Sequence, residues 1–427
     1  MKTNPFHKIF LTVSAVAFLC LALFFFTEQF GLTGPFLIGG LIALSIAVRG
    51  YPKFKGFSYS LMILTAVAIS MYYPQYFIGV GDFQYKKLII PLLQIIMFGM
   101  GSQMSLLDFT GVMRMPKGVI VGLISQFTIM PIMGITLASL FDFPPEIDAG
   151  IVLVGASPSG MASNVMSFIA KANLALSITL TAFATLLSPL LTPLLMKTFA
   201  GQFIEIDFWD MMFGIFNMVI LPICAGLIFN LFSNGFKTTK NAVIQIASYV
   251  IIIFLKNFLE FQISEMTISA LFFNLMFDVA LFVLFPAFGA FLFAFFAKGN
   301  KELLDKLLSV ISMVGIGIII TIITAAGRDS LLDVGLLLIL ACFLHNMFGY
   351  GLGYGFSKLL RMNEQDCRTI ALEVGMQNGG LASGLALQMG KVATVGLAPA
   401  IFGPLMNVTG SILASWWRAK TEKNDKR

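Results

Sequence analysis

Ile370-Ala-Leu-Glu-Val-Gly-Met-Gln-Asn-Gly-Gly-Leu-Ala-Ser383 places one carboxylate, Glu373, beside amides and glycines inside an apolar stretch long enough to cross a bilayer. An acidic side chain at the centre of a membrane helix costs about 2.5–3.5 kcal/mol on the insertion scale, so such residues usually mark an ion or substrate path. Asn378, Gly379 and Gly380 also interrupt the helix, and hydrocarbon tolerates free backbone only beside protein or a water-filled cavity. An acid next to a broken membrane helix reads as a transport site.

The rest of the chain supplies the membrane. It is 58% hydrophobic and 11% charged, with a mean hydropathy of +0.91, which excludes an ordinary soluble domain of 427 residues. Apolar runs of spanning length fall near 9–26, 34–48, 58–77, 88–107, 117–140, 148–170, 174–199, 209–232, 241–260, 267–297, 307–326, 330–356, 368–390 and 392–417, fourteen in all. Basic residues test that count, because Lys and Arg favour cytoplasmic loops. With the N-terminus inside, 21 of the 27 basic residues fall on the cytoplasmic side. Lys86, Lys87, Lys197, Lys256, Arg328 and Lys391 fall outside. One span more or fewer would invert every later loop, so both termini are expected in the cytoplasm, with the protein in the cell's inner (plasma) membrane.

A formal charge of +6 spread over many loops implies attraction to anionic lipid headgroups and no nucleic-acid partner. Cys20, Cys224, Cys342 and Cys367 lack metal-ligand spacing and read as packing residues. The first run is long for a signal peptide and has no small-residue exit before Thr27-Glu-Gln29, so it counts as a span.

Ser159-Gly-Met-Ala-Ser163 resembles Gly379-Gly-Leu-Ala-Ser383, about half a chain apart. The two stretches lie in the sixth and thirteenth runs, the same place in two seven-span halves. An odd number of spans per half gives the halves opposite membrane orientations, the arrangement of an inverted repeat. Pro158, within Gly155-Ala-Ser-Pro-Ser-Gly160, breaks the first helix as the glycines break the second. Two half-helix N-termini would favour an anion, while unwound carbonyls offer oxygens to a cation. Hard cations take oxygen ligands. Candidates are Ser163, Asn164, Gln126, Glu373, Gln377 and the i, i+4 series Ser177, Thr181, Thr185, whose hydroxyls share one helix face. Hydroxyls that merely bond back to their own helix are the alternative for that series.

Several separated stretches carry a resemblance. Val152-Leu-Val-Gly-Ala-Ser-Pro-Ser-Gly-Met-Ala-Ser-Asn-Val-Met166, Ala172-Asn-Leu-Ala-Leu-Ser177, Leu187-Ser-Pro-Leu-Leu-Thr-Pro193, Leu344-His-Asn-Met-Phe-Gly-Tyr350 and Glu373-Val-Gly-Met-Gln-Asn378 together resemble the bile acid:sodium symporter family. Ile96-Met-Phe-Gly-Met-Gly101 and Ser125-Gln-Phe127 fit as well, and the resemblance covers roughly residues 57–420. It implies an all-α polytopic membrane protein with two crossing broken helices in a core that moves against a panel. It also implies a first sodium site of Ser163, Asn164, Ser177, Thr181 and Glu373, and a second of Gln126, Glu373 and Gln377 with the Val374 and Met376 carbonyls. Met161, Asn378 and Asn407 match the substrate positions.

The chain departs from that pattern at Ser159 and Met161, where the family motif is similar to Pro-Gly-Gly-Thr-Ala-Ser-Asn, and at Met406, where a His is expected. The family pattern has ten spans. The surplus is a pair in 1–56 and another among spans 8–10, with Leu221-Pro-Ile-Cys-Ala-Gly226 in span 8 looking like a retained family helix. The organisation expected is therefore 1–56 as extra spans, 57–200 and 201–420 as inverted repeats, and 421–427 as a basic cytoplasmic tail. The function expected is sodium-coupled symport of a small organic anion, with no other cofactor. The alternatives are a proton-coupled carrier using Glu373 or Asp278, or a passive channel. An enzyme is disfavoured for want of a nucleophile with its base. Asp278 is expected to bond within the bundle, with Asn274 one turn away, and His345 to be a packing residue.

Overall fold

Proline and glycine punctuate this chain and set its helix boundaries. The structure, a computed structural model, describes residues 4–51, 57–104, 114–233, 239–296 and 300–424. Its helices are α1 (Pro5–Phe26), α2 (Phe30–Ala47), α3 (Phe57–Tyr72), the single turn α4 (Gln75–Ile78), α5 (Ile89–Gln103), α6 (Pro116–Phe141), α7 (Pro145–Ala156), α8 (Ala162–Ile169), α9 (Leu174–Leu195) and α10 (Phe208–Ile215). They continue with α11 (Leu221–Ser233), α12 (Thr239–Ile263), α13 (Ile268–Val279), α14 (Phe285–Phe296), α15 (Lys301–Ala326), α16 (Arg328–Leu359), α17 (Glu364–Gly375), α18 (Gly379–Gln388) and α19 (Leu397–Asn424). One two-residue hairpin, Gly79–Val80 with Phe83–Gln84, joins α4 to α5.

Ten helical passages among the described residues are long and apolar enough to cross a membrane. The shorter α3 and α5 and the interrupted pairs α7–α8 and α17–α18 occupy the remaining four of the fourteen apolar runs. Three passages contain a π-turn, Met196–Ala200, Phe216–Ile220 and Ala280–Leu284, each close to a proline, Pro193, Pro222 or Pro286. Proline removes a backbone donor and displaces the preceding carbonyl, so the local ladder widens. Lys2, Lys53, Lys55, Lys237, Lys298, Lys426 and Arg427, counted in the charge argument, lie outside the described residues.

The helices form two groups. α6, α7, α8, α9, α16, α17, α18 and α19 pack around one another as a core. Beside them runs a row in the spatial order α1, α2, α3, α15, α5, α11, α14, with α12 and α13 beyond. Where α5 meets α11 the backbones touch: a Cβ on Gly226 would lie 2.2 Å from the Phe98 carbonyl oxygen, and one on Gly101 would lie 2.1 Å from that of Ile223. Small residues let membrane helices approach this closely.

Within the row α11 packs between α5 and α14, with α12 and α13 beyond it, and α1 and α2 form the opposite end. At that end Ser14 Oγ donates to the Gly40 carbonyl and Arg49 Nε to Ser58 Oγ. At the other, Lys256, which the charge argument counted on the outer side, is buried within α12, 2.9 Å from Glu260 and 3.4 Å from Asp278 of α13. The amide partner of Asp278 is Asn257 of α12, at 2.9 Å, rather than Asn274, whose amide points to the Met266 sulfur. The pair therefore joins α12 to α13 through buried polar groups.

Removing one partner leaves an uncompensated charge, whereas replacing both with apolar groups is close to neutral. Lys256→Met should therefore destabilise the detergent-solubilised protein by about 3 kcal/mol. Lys256→Met combined with Asp278→Leu and Glu260→Leu should recover most of that loss in a thermal-unfolding measurement.

Candidate functional site

The two interrupted passages cross at their breaks. Pro158 ends the regular ladder of α7, and Gly375 to Asn378 unwind α17. Ser159 and Gln377 then pair as an antiparallel bridge. The Gly160 N–H donates to the Met376 carbonyl at 2.9 Å and the Asn378 N–H to the Pro158 carbonyl at 2.8 Å. Each break thus satisfies backbone groups of the other, the condition for non-helical chain at membrane depth. Gly160 is needed there because a Cβ would stand 2.8 Å from the Gln377 carbonyl oxygen.

Glu373 lies one turn before its break and is 2% exposed. Its Oε1 accepts from Ser163 Oγ at 2.6 Å and Ser177 Oγ at 2.5 Å, and its Oε2 from Thr181 Oγ1 at 2.9 Å. Asn164 Oδ1 stands 2.8 Å from Ser177 Oγ and 3.2 Å from Thr181 Oγ1, and the Gly160 carbonyl 2.8 Å from Ser163 Oγ. Each of the three hydroxyls therefore faces two acceptors, and each has one proton to give. None of these partners of Glu373 is Lys, Arg or His. The cluster is rich in oxygen and short of protons, with one formal negative charge. That is the donor set of a hard monovalent or divalent cation.

Register across the cluster is fixed one turn away, by residues the sequence reading did not single out. Asn173 caps α9 through the Leu176 N–H, donates from Nδ2 to Asp366 Oδ1 at 2.7 Å and, through its own N–H, bonds Thr369 Oγ1 at 2.9 Å. From that lock Ser177 and Thr181 follow at four-residue steps on α9, while Glu373 follows Thr369 by four on α17, so the groups meet. The available signal was an Asn before an apolar run, the mark of a helix N-cap.

A second oxygen group adjoins the first. Gln126 of α6 donates from Nε2 to Gln377 Oε1 at 2.6 Å and to the Ser157 carbonyl at 3.0 Å, and Gln377 Nε2 donates to the Val374 carbonyl at 2.5 Å. Gln126 Oε1 is buried with no partner among the described residues. Asn346 secures this break from behind, donating to the Gly375 carbonyl at 2.7 Å while accepting from Thr409 at 2.6 Å. His345 beside it is a packing residue, bonded to the Met130 carbonyl and edge-on to Phe402. Thr185 falls outside both groups. Its hydroxyl returns to the Thr181 carbonyl at 2.8 Å, the local bond that competed with the ligand reading.

In front of the crossing lies a cavity of about 410 Å³. Met161, Asn378 and Asn407 line it, together with Tyr59, Ser312 and Met313 from the row. Among the described residues that line it, none is charged. Both half-helices, α8 and α18, begin at its wall, where unpaired amides and the helix dipole favour negative charge. Asn378 caps α18 through the Leu381 N–H, whereas Met161 leaves α8 without a side-chain cap. The cavity reaches the face where α3 and α15 begin and α5 ends.

On the opposite side α18 packs against α5 and α10. Gly384 rests on Leu93 and Met218, and Gln388 Nε2 donates to the Asp210 carbonyl at 2.7 Å. The Gln388 amide lies over Gly214 of α10, where a Cβ would come within 1.7 Å of it.

An all-α polytopic membrane transporter built on two crossing broken helices is the class that this fold and site define. The chain belongs to the sodium bile acid symporter family, to which residues 90–259 match directly. A relative from Bacillus subtilis (strain 168), described as an uncharacterized sodium-dependent transporter, YocS, is 32% identical over 377 residues, covering 88% of this chain and 95% of the relative. A probable chloroplastic sodium/metabolite cotransporter of Arabidopsis thaliana, BASS1, is 28% identical over 331 residues, 78% of this chain and 67% of that protein. Its namesake from Oryza sativa subsp. japonica is 25% identical over 401 residues, 91% of this chain and 80% of the relative.

Loss of the register lock should be visible without any assay of activity. Asn173→Ala removes a cap worth about 1–2 kcal/mol together with the Asp366 contact, and should lower the melting temperature. Thr12→Ala, at an exposed hydroxyl that only bonds back to Lys8, should leave it unchanged.

Proposed function

We propose that this protein moves a small organic anion across the membrane together with sodium ions, exposing its cavity alternately to the two faces. The observation that carries this reading is the cluster at Glu373, where three hydroxyls with one proton each meet six acceptor contacts around a carboxylate. A sodium ion held by Ser163, Asn164, Ser177, Thr181 and Glu373 would complete that arrangement. A second would be held by Gln126, Glu373, Gln377 and the Val374 and Met376 carbonyls. The descriptions of the relatives, sodium-dependent and sodium/metabolite cotransporting, support the choice of ion.

The anion would lie in the cavity against Met161, Asn378 and Asn407, its charge at the half-helix N-termini and its body among thioethers and aliphatic groups. Residues 57–200 and 201–420 would act as the two inverted repeats. The excess of basic residues on the face that the cavity reaches supports a cytoplasmic orientation for that face, and the protein would lie in the cell's inner (plasma) membrane.

Two sodium ions with a monoanion carry one net positive charge, and 100 mV acts on each charge with about 2.3 kcal/mol. Uptake of a radiolabelled organic acid into proteoliposomes should require sodium, rise with an inside-negative potential, and be lost in Glu373→Ala. Equal uptake when potassium or choline replaces sodium would overturn the coupling, and uptake that follows a pH gradient alone would point to protons.

The seal at α18 gives a second test. Gly214→Leu places a side chain where Gln388 rests, so α18 cannot close against α10 and the population should shift toward the state open on that side. A cysteine introduced at Ser383 should then react faster with a membrane-impermeant thiol reagent added outside, and uptake should fall. An unchanged labelling rate would show that this contact does not hold the closed face.

A further inference from the structure

Ser159 belongs to neither residue set above, yet it stands between them. It sits in the bridge that pairs with Gln377, one residue from Pro158, and is 1% exposed. Its neighbours in the same strand commit their backbone groups to the crossing through the Pro158 carbonyl and the Gly160 N–H. Its Oγ makes no hydrogen bond to any described residue. Gln126 Oε1, on a side chain that bonds Gln377 Oε1 and the Ser157 carbonyl, likewise has no partner among the described residues.

A buried hydroxyl left unpaired costs about 1–3 kcal/mol, and most such groups in folded proteins are satisfied. The other serines around the site show the ordinary outcome: Ser157 Oγ bonds the Leu153 carbonyl at 2.8 Å and Ser125 Oγ the Val121 carbonyl at 2.7 Å. Ser159 lies in extended chain at the break, so it has no preceding helical turn to which it can return a bond. Ser159 pairs with Gln377 in the bridge and Gln126 bonds the Gln377 side chain, so both unpartnered oxygens belong to residues that adjoin Gln377, which reads as a convergent oxygen set rather than a packing defect.

We propose that the Ser159 hydroxyl is a further oxygen ligand of the cation held by Gln126, Glu373 and Gln377, giving that site a neutral donor from the first broken passage. The consequence is mechanical as well as electrostatic. The second site would then draw ligands from α6, from the break of α7–α8 and from the break of α17–α18, so that cation binding braces the crossing itself. The inference rests on the sodium reading given above.

The test separates the two. Thermal unfolding of the purified protein in detergent, titrated with sodium chloride at constant ionic strength in choline chloride, gives a sodium midpoint without transport, since a ligand of the native state raises its stability by mass action. Ser159→Ala should raise that midpoint at least about tenfold and raise the sodium concentration for half-maximal uptake in parallel. Its melting temperature without sodium should stay close to that of the parent. Ser159→Cys keeps the volume but offers a soft sulfur that hard cations reject, so it should behave like Ser159→Ala. If packing alone matters, Ser159→Cys will match the parent. A midpoint within twofold of the parent in Ser159→Ala, or in Ser159→Gly should the alanine variant fail to fold, would overturn this assignment while leaving sodium coupling intact. A parent protein with no sodium response would overturn the sodium reading, and this inference with it.

Discussion

A carboxylate buried in a membrane protein with no basic partner has to be answered by something, and at Glu373 the answer is oxygen. Burial of an isolated charge is prohibitive unless it is paired or neutralised. Here the surrounding groups are hydroxyls and amide oxygens whose protons are too few for the contacts they make. This electrostatic demand explains why three separate passages converge. α9 supplies Ser177 and Thr181, α8 supplies Ser163 and Asn164, and α17 supplies the acid itself.

Meeting that demand at mid-membrane requires interrupted helices, which create a second problem of unpaired backbone. The crossing resolves both at once, since each break accepts or donates for the other through Gly160, Met376, Pro158 and Asn378. The unwound segments then present carbonyls behind the crossing and helix N-termini in front of it. Opposite charges can thus be attracted to opposite sides of one small backbone structure without a buried lysine or arginine. The row of helices beside the core contributes no groups to the oxygen cluster. It supplies the far wall of the cavity and, through Leu93, a surface against which α18 rests, with Gly214 of α10 beside it. The helices α1 and α2 and the helices α12 and α13 lie at the two ends of that row, and the buried Lys256–Asp278 pair belongs to this periphery.

The membrane class, the fourteen passages and the position of both breaks were legible in the sequence, because each depends on a local property. Apolar length fixes a span, Pro158 and the polar, glycine-flanked Met376-Gln377-Asn378 weaken a continuous ladder, and an acid among apolar residues declares itself. The candidate ligands Ser163, Ser177, Thr181 and Glu373 were legible for the same reason, as oxygens at helical spacing near a break. Only the tertiary structure decided which of them meet. Thr185 shares the four-residue spacing of Ser177 and Thr181, but one further turn carries it beyond reach of Glu373, where it bonds its own helix. Asn173, Asp366 and Thr369 set the register between α9 and α17, and nothing in their local sequence links two segments almost two hundred residues apart. Lys256 was counted on the outer side by charge alone, and its burial follows from a partner on the neighbouring helix. Ser159 is one serine among several near the breaks, and only the folded chain distinguishes a hydroxyl bonded to the preceding turn from one buried without a partner among the described residues.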